Sequence, residues 1–280
     1  MSLIVNLGKI FSILAGVFTI SAYACGSVEV LLSPPFLDVF LRGAASLFLV
    51  LCAGYLMNDL CDMRYDRVNR PENMFVGKRL SAGLAGWLVP ALFSAGIVCA
   101  FFVNRWFTAV ILPLSAGVAL YNHYSKRLGL FKEAAISLVV ASIYPIALAL
   151  TSGGNSSSRR DSLYIFPAWF FLNIMAYEIM RDIIDSPGDK AGRGTTLPLR
   201  IGEEKARKAA VFLALAGIPV SLLPYLLGMC GNVYLGGAAA AALLLAAGTF
   251  MRNPGLSKAI FISILLVAFS SLADLHLEII

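Results

Sequence analysis

Residues Asn58–Pro71 read NDLCDMRYDRVNRP and follow a mostly apolar run, Phe36–Met57. The stretch places three carboxylates, Asp59, Asp62 and Asp66, three and then four residues apart. On a helix these positions fall within about 60° of one another. They form one acidic edge if the helix continues past the apolar run until the ring of Pro71 ends it. Carboxylates stacked on one edge repel each other, and a cation that joins them removes the repulsion.

The rest of the chain says what surrounds that helix. Of 280 residues, 59% are hydrophobic and only 14% charged, where a soluble domain carries roughly 25% charged residues. One globular core cannot hide such an excess, so most of the solvent is lipid. Only helices and closed barrels satisfy their backbone hydrogen bonds in lipid, and alternation with period two is absent, so the expected fold is an all-α integral membrane protein. Residues 1–280 read as a single transmembrane domain. The N-terminal run shows no signal-peptide pattern and is read as a retained helix. Five cysteines show no paired or metal-type spacing and read as inert thiols.

Nine transmembrane helices are expected: Ile10–Val28, Phe36–Met57, Leu84–Phe102, Trp106–Tyr121, Ala134–Leu150, Leu163–Met180, Ala209–Gly228, Val233–Phe250 and Ala259–Leu272. Eighteen of the 22 lysines and arginines then fall on one side, and only Arg42, Arg105, Arg159 and Arg160 on the other. The positive-inside rule puts the crowded side, with the acidic edge, in the cytoplasm, so the chain is placed in the cell (plasma or inner) membrane. The C-terminus, with Asp274 and Glu278, is expected outside. The outer loop SGGNSSSRRDS has linker composition and is assigned no function. The net charge of +6 reads as topology and attraction to membrane lipid, with no nucleic-acid partner.

A second acidic set closes span six. In YEIMRDIIDSPGDKAGRGTTLP, Tyr177–Pro198, the carboxylates Asp182, Asp185 and Asp189 repeat the spacing, and Glu178 shares the edge of Asp182. Pro187 and Gly188 are expected to break the helix and leave Asp189 in a loop. Two acidic clusters on one side of a bundle can face each other across a cavity. Carboxylates without cysteine or histidine suit hard cations, and Mg²⁺ is commonly held by a few carboxylates plus substrate phosphates. Arg70, Lys78, Arg79, Lys126, Arg127, Lys190 and Arg193 are then candidates to neutralise a diphosphate. No glycine-rich phosphate loop, hydrolase elbow or HExxH motif is present. A diphosphate at the mouth of an apolar bundle implies a substrate with an apolar tail, such as a prenyl diphosphate.

These residues carry a resemblance. NDLCDMRYDRVNRP resembles the NDxxDxxxD signature of the UbiA superfamily of intramembrane prenyltransferases, and the second stretch resembles its DxxDxxxD motif with the trailing Thr-Leu-Pro. LYNHYSKRLG is similar to the family segment after span four, which carries a tyrosine and a lysine onto Tyr121 and Lys126. The resemblance implies a UbiA-type helical bundle and a Mg²⁺-dependent prenyltransferase. It implies that Asn58, Asp62, Asp66, Asp182, Asp185 and Asp189 hold metal and diphosphate, with Asp59 contributing. Asp62, Asp66, Asp182 and Asp185 are the implied catalytic residues. Asn58, Arg70, Lys78, Arg79, Tyr121, Lys126, Glu178 and Arg193 are the candidate substrate contacts. NRPENMFVGKRLS further resembles a bacterial group allied to geranylgeranylglyceryl-phosphate geranylgeranyltransferases, which implies a glyceryl-phosphate lipid as the lipophilic acceptor. Lys126 and Lys132 are expected to supply the charge for that second anion.

Three other readings fit less of the pattern. An aromatic-acceptor prenyltransferase of quinone biosynthesis and a UbiA-type terpene cyclase would share the aspartates and differ in what captures C1. A cation transporter would need carboxylates near mid-span, whereas here they gather at one face.

Overall fold

The structure is a computed structural model that describes residues 2–69, 74–124, 128, 131–152, 158–191 and 195–277. Fourteen α-helices are seen among them. The first six are α1 (Ser2–Cys25), α2 (Val28–Leu32), α3 (Pro34–Cys61), α4 (Met63–Asn69), α5 (Ala82–Phe101) and α6 (Arg105–Tyr124). Then come α7 (Lys132–Ala141), α8 (Ile143–Leu150), α9 (Ser158–Asp161) and α10 (Phe166–Ala191). The last four are α11 (Leu197–Ile201), α12 (Glu203–Leu226), α13 (Asn232–Gly248) and α14 (Asn253–Leu277). Among the described residues there is no strand, only an isolated bridge between Val76 and Leu80.

Among the described residues, seven helical segments are long and apolar enough to cross a membrane: those of α1, α3, α5, α7–α8, α9–α10, α12 and α14. The expected fourth and eighth spans coincide with α6 and α13, which lie outside that set; α13 has 17 residues. Span five is not one helix. Pro145 lacks an N–H and its ring crowds the carbonyl four residues back, and the chain breaks at Ser142 into α7 and α8.

Trp87, Phe212, Leu243 and Phe250 are all at least 71% exposed, which suits a surface solvated by lipid. Two buried clusters share the interior. One joins α1, α3, α5, α6 and α8, and the other joins α10, α12, α13 and α14, with Tyr23 and Tyr144 reaching it from α1 and α8. Close helix contact uses small residues. A Cβ on Gly96 of α5 would stand 3.0 Å from the Ser46 carbonyl of α3, and the Ser46 hydroxyl donates to the Gly96 carbonyl at 2.7 Å.

The end opposite the aspartate motifs is tied by charge. Asp274 of α14 is fully buried. Its carboxylate accepts from Arg159 Nη1 at 2.7 Å and from the amides of Gly231 and Tyr234 at 2.8 and 3.1 Å. Asp274 is therefore a remote cap for α13; Glu278 lies outside the described residues. Arg160 donates to the carbonyls of Ala24 and Thr151 at 3.2 and 3.3 Å. The last residues of the supposed linker loop thus clasp α1, α8 and α14.

Candidate active site

The first motif does not form one straight edge. α3 stops at Cys61, and Asp62 takes φ −93° and ψ 4°. Its amide still donates to the Asn58 carbonyl at 2.8 Å, while its own carbonyl receives the amides of Tyr65 and Asp66 at 2.9 and 3.0 Å. Asp62 is the corner at which α4 restarts in a new direction, so the expected unbroken helix to Pro71 is corrected; Pro71 itself lies outside the described residues. The corner holds the set together from within. The Asn58 amide points at Asp62 Oδ2 at 3.4 Å, and Asp59 has Asp66 and Asp62 as charged neighbours.

The second motif is the reverse case. α10 runs through Pro187 to Ala191, and Gly188 and Asp189 are buried. An interior proline costs a helix about 3 kcal/mol. Here α11 and α12 both pack on α10, and beside the proline the Ser186 hydroxyl donates to Glu203 Oε1 at 3.0 Å. Tertiary packing outweighs the local penalty. Asp189 therefore shares the helical edge of Asp182 and Asp185 and is not in a loop.

α10 brings the two motifs together, because α4 and α7 both pack on it. Asp182 is buried and accepts a hydrogen bond from the Lys132 ammonium of α7. Arg181 stands 3.8 Å from Asp185, and Glu178 has Arg181, Lys132 and Asp182 as its charged neighbours. Tyr121 of α6 lies among Lys132, Glu178, Asp182 and Asp62. Lys78 and Arg79 stand exposed on the turn that Gly77 makes at φ +89°. Arg70, Lys126 and Arg193 lie outside the described residues. Lys132, expected to supply charge for an acceptor phosphate, is buried and bonded to the motif carboxylate Asp182.

Sequence reasoning missed the contribution of α1. Asn6 Nδ2 donates to Asp59 Oδ2 at 3.3 Å, and Lys9 lies 5.6 Å from the ring centre of Tyr55. No local pattern links these residues to a motif 53 positions away. The sequence signal available was only that Asn6 and Lys9 are polar at the start of an apolar run.

One apolar cavity reaches this end, and a second lies beside it in the bundle. An inner one of about 150 Å³ has Asn58, Tyr55 and Tyr121 at one end and Leu47 and Ile146 further in. A larger one of about 520 Å³ is lined by Tyr23, Tyr144, Phe166 and Trp169, with exposed Ser12, Phe261 and Leu265 on its rim between α1 and α14. Ile13, Val140 and Ile143 line both and form the wall between them.

The donor set fits a hard cation better than a soft one. It consists of carboxylates and the Asn58 amide, with no histidine or thiolate beside them except exposed Cys61. Among the described residues no three His, Cys, Asp or Glu side chains converge at metal-binding range, so protein oxygens alone do not complete a shell. Mg²⁺ sites often have this form, with one or two carboxylates and the remaining oxygens from substrate and water.

Comparison with known proteins agrees in fold and family. Over 201 residues the chain is 33% identical to digeranylgeranylglyceryl phosphate synthase of Methanosarcina mazei, a match covering 72% of this chain and 68% of the relative. It is 32% identical over 200 residues to the same-named protein of Methanopyrus kandleri, covering 70% and 72%. A solved digeranylgeranylglyceryl phosphate synthase structure superposes with a TM-score of 0.78 at 20% identity, over 96% of this chain and 94% of that one. A UbiA homologue from Archaeoglobus fulgidus bound to GPP and Mg²⁺ superposes at 0.64 and 16% identity, over 93% and 96%. At those identities the structures speak for the fold alone. The model of the UbiA prenyltransferase family matches residues 10–265. This chain belongs to the UbiA prenyltransferase family.

Proposed function

We propose that this integral membrane prenyltransferase transfers a polyprenyl group from a prenyl diphosphate to a glyceryl-phosphate lipid. The observation that carries the reading is the meeting of both aspartate motifs on α10, at the end of an apolar cavity that begins at Asn58 and Tyr121. The relatives named digeranylgeranylglyceryl phosphate synthase support the acceptor class. The asymmetry of lysine and arginine supports nine spans with the site facing the cytoplasm.

In this reading Asn58, Asp59, Asp62, Asp66, Asp182, Asp185 and Asp189 hold Mg²⁺ and the diphosphate. When bound, Mg²⁺ stabilises the negative charge that develops on the leaving diphosphate. The chain's own residues do the rest. Asn58 fixes the corner at Asp62, and Arg181 and Lys132 hold Asp185 and Asp182 in place. Arg70, Lys78, Arg79, Lys126 and Arg193 are the candidates to balance the charge of the diphosphate. Tyr121 closes the cavity beside the allylic carbon and keeps water from the carbocation-like fragment. Glu178, on the edge of Asp182, is placed to take the proton of the attacking hydroxyl.

The donor's chain occupies the inner cavity and the acceptor's chain the aromatic one. Gly54 lines the inner cavity, and a Cβ there would come within 2.8 Å of Val118 Cγ1. Gly54→Val is expected to lower kcat/KM for a twenty-carbon donor at least tenfold and to affect a five-carbon donor little. Equal losses on both donors would remove the inner cavity as the chain's path. The reading as a whole is tested by diphosphate release from geranylgeranyl diphosphate by the purified protein. Release that needs Mg²⁺ and an acceptor is expected, and release indifferent to chelation would refute it.

A further inference from the structure

α7 opens with two charged residues inside the protein. Lys132 is 7% exposed and Glu133 only 1%. A buried charge is tolerated when it is paired and hydrogen-bonded. Lys132 meets that condition through Asp182. Glu133 does not. Among the described residues its only hydrogen-bonding neighbours are its own amide and the Asp182 carboxylate, which can bond it only through a shared proton, and no other donor reaches its oxygens or Asp182 Oδ2. The Glu133 carboxylate lies beside that of Asp182. Two carboxylates in one buried place need a proton or a cation between them.

We propose that Glu133 and Asp182 form a seat for a divalent cation, a ligand set that adds α7 to the two aspartate motifs. The proposal rests on the reading of this end of the bundle as a diphosphate site. The seat offers only hard carboxylate oxygens, and two of them leave most of a Mg²⁺ shell to diphosphate and water. Lys132 sets how tightly the seat holds. With Lys132 charged, Glu133, Asp182 and Lys132 together carry a net charge of −1, so a divalent cation binds weakly until diphosphate oxygens join it. The seat therefore fills together with the substrate. Glu133 is a metal ligand in this account, and Lys132 is a positioning residue that acts through Asp182.

The two residues should then move metal binding in opposite directions. The test is Mn²⁺ titration of the full-length protein in detergent, read by electron paramagnetic resonance, with and without inorganic diphosphate. Glu133→Gln keeps the volume and removes a ligand charge, and it is expected to weaken Mn²⁺ binding in the presence of diphosphate at least tenfold. Lys132→Gln takes the seat to −2 and is expected to strengthen Mn²⁺ binding without diphosphate about tenfold. If Lys132→Gln alone does not fold, the neutral-ligand double variant Lys132→Gln/Glu133→Gln is used, and it should still bind Mn²⁺ at least tenfold more weakly than wild type with diphosphate. Unchanged Mn²⁺ binding in Glu133→Gln would overturn the seat and leave a proton shared by the two carboxylates. Asp62→Asn separates the two levels of the account. Loss of Mn²⁺ in Asp62→Asn with none in Glu133→Gln overturns the seat alone, whereas wild type that binds no Mn²⁺ with diphosphate overturns the diphosphate site as well.

Discussion

Asp62→Asn is expected to lower turnover by about 10²–10³-fold, the usual cost of removing one group that stabilises developing charge in a closed site. The side chain keeps its size, and the backbone corner at residue 62 is made by the amide and carbonyl, which the substitution leaves alone. Asp59 loses a like-charged neighbour, and the oxygen that remains at position 62 can still accept from Asn58, so the folded state chiefly loses a repulsion. The thermal unfolding midpoint in detergent should stay level or rise while diphosphate release collapses. Asp185→Asn should behave alike, with Arg181 keeping a polar partner. Wild-type turnover from either variant would remove that residue from the metal and diphosphate set.

The largest effect on stability is expected at the other end of the bundle. Asp274→Ala removes the partner of Arg159 and the acceptor of two amides at the start of α13. Asp274 is fully buried and Arg159 is 20% exposed, so water replaces little of what is lost. Breaking such a pair from one side costs about 3–5 kcal/mol, because Arg159 loses its carboxylate and the two amides lose their acceptor in a buried place. Reversible unfolding in mixed micelles should show a drop of that size, and Asp274→Asn should recover part of it by keeping an acceptor for the amides. A change under about 1 kcal/mol, the value of an exposed pair, would mean that Asp274 does not cap α13.

The contrast between these two sites shows what can be read from sequence. The aspartate motifs are local: three carboxylates within eight residues declare their shared face through helical spacing, and the apolar runs before them declare lipid. The bundle and the family follow from those two facts. The corner at Asp62 and the passage through Pro187 do not, because each is accompanied by contacts distant in sequence: α4 against α10, and Ser186 of α10 against Glu203 of α12. The Lys132–Asp182 and Arg159–Asp274 contacts join residues 50 and 115 positions apart. No periodicity carries such a pairing, and a loop of serines, glycines and arginines looked like a linker until the fold brought its arginines to Asp274 and Ala24. The charged start of α7 was visible as Lys132 and Glu133, yet its burial was not, since charged residues at a span end are ordinarily solvated.

The acceptor decides between this account and its nearest rivals. Purified protein in lipid nanodiscs, given geranylgeranyl diphosphate, Mg²⁺ and a mixture of geranylgeranylglyceryl phosphate and aromatic acids, allows them to compete in one vessel. Mass spectrometry of the extracted lipid should show geranylgeranylglyceryl phosphate carrying one additional geranylgeranyl group, with no such product after Asp62→Asn. A prenylated aromatic acid with the glyceryl phosphate untouched, or a cyclised hydrocarbon from the donor alone, would contradict it.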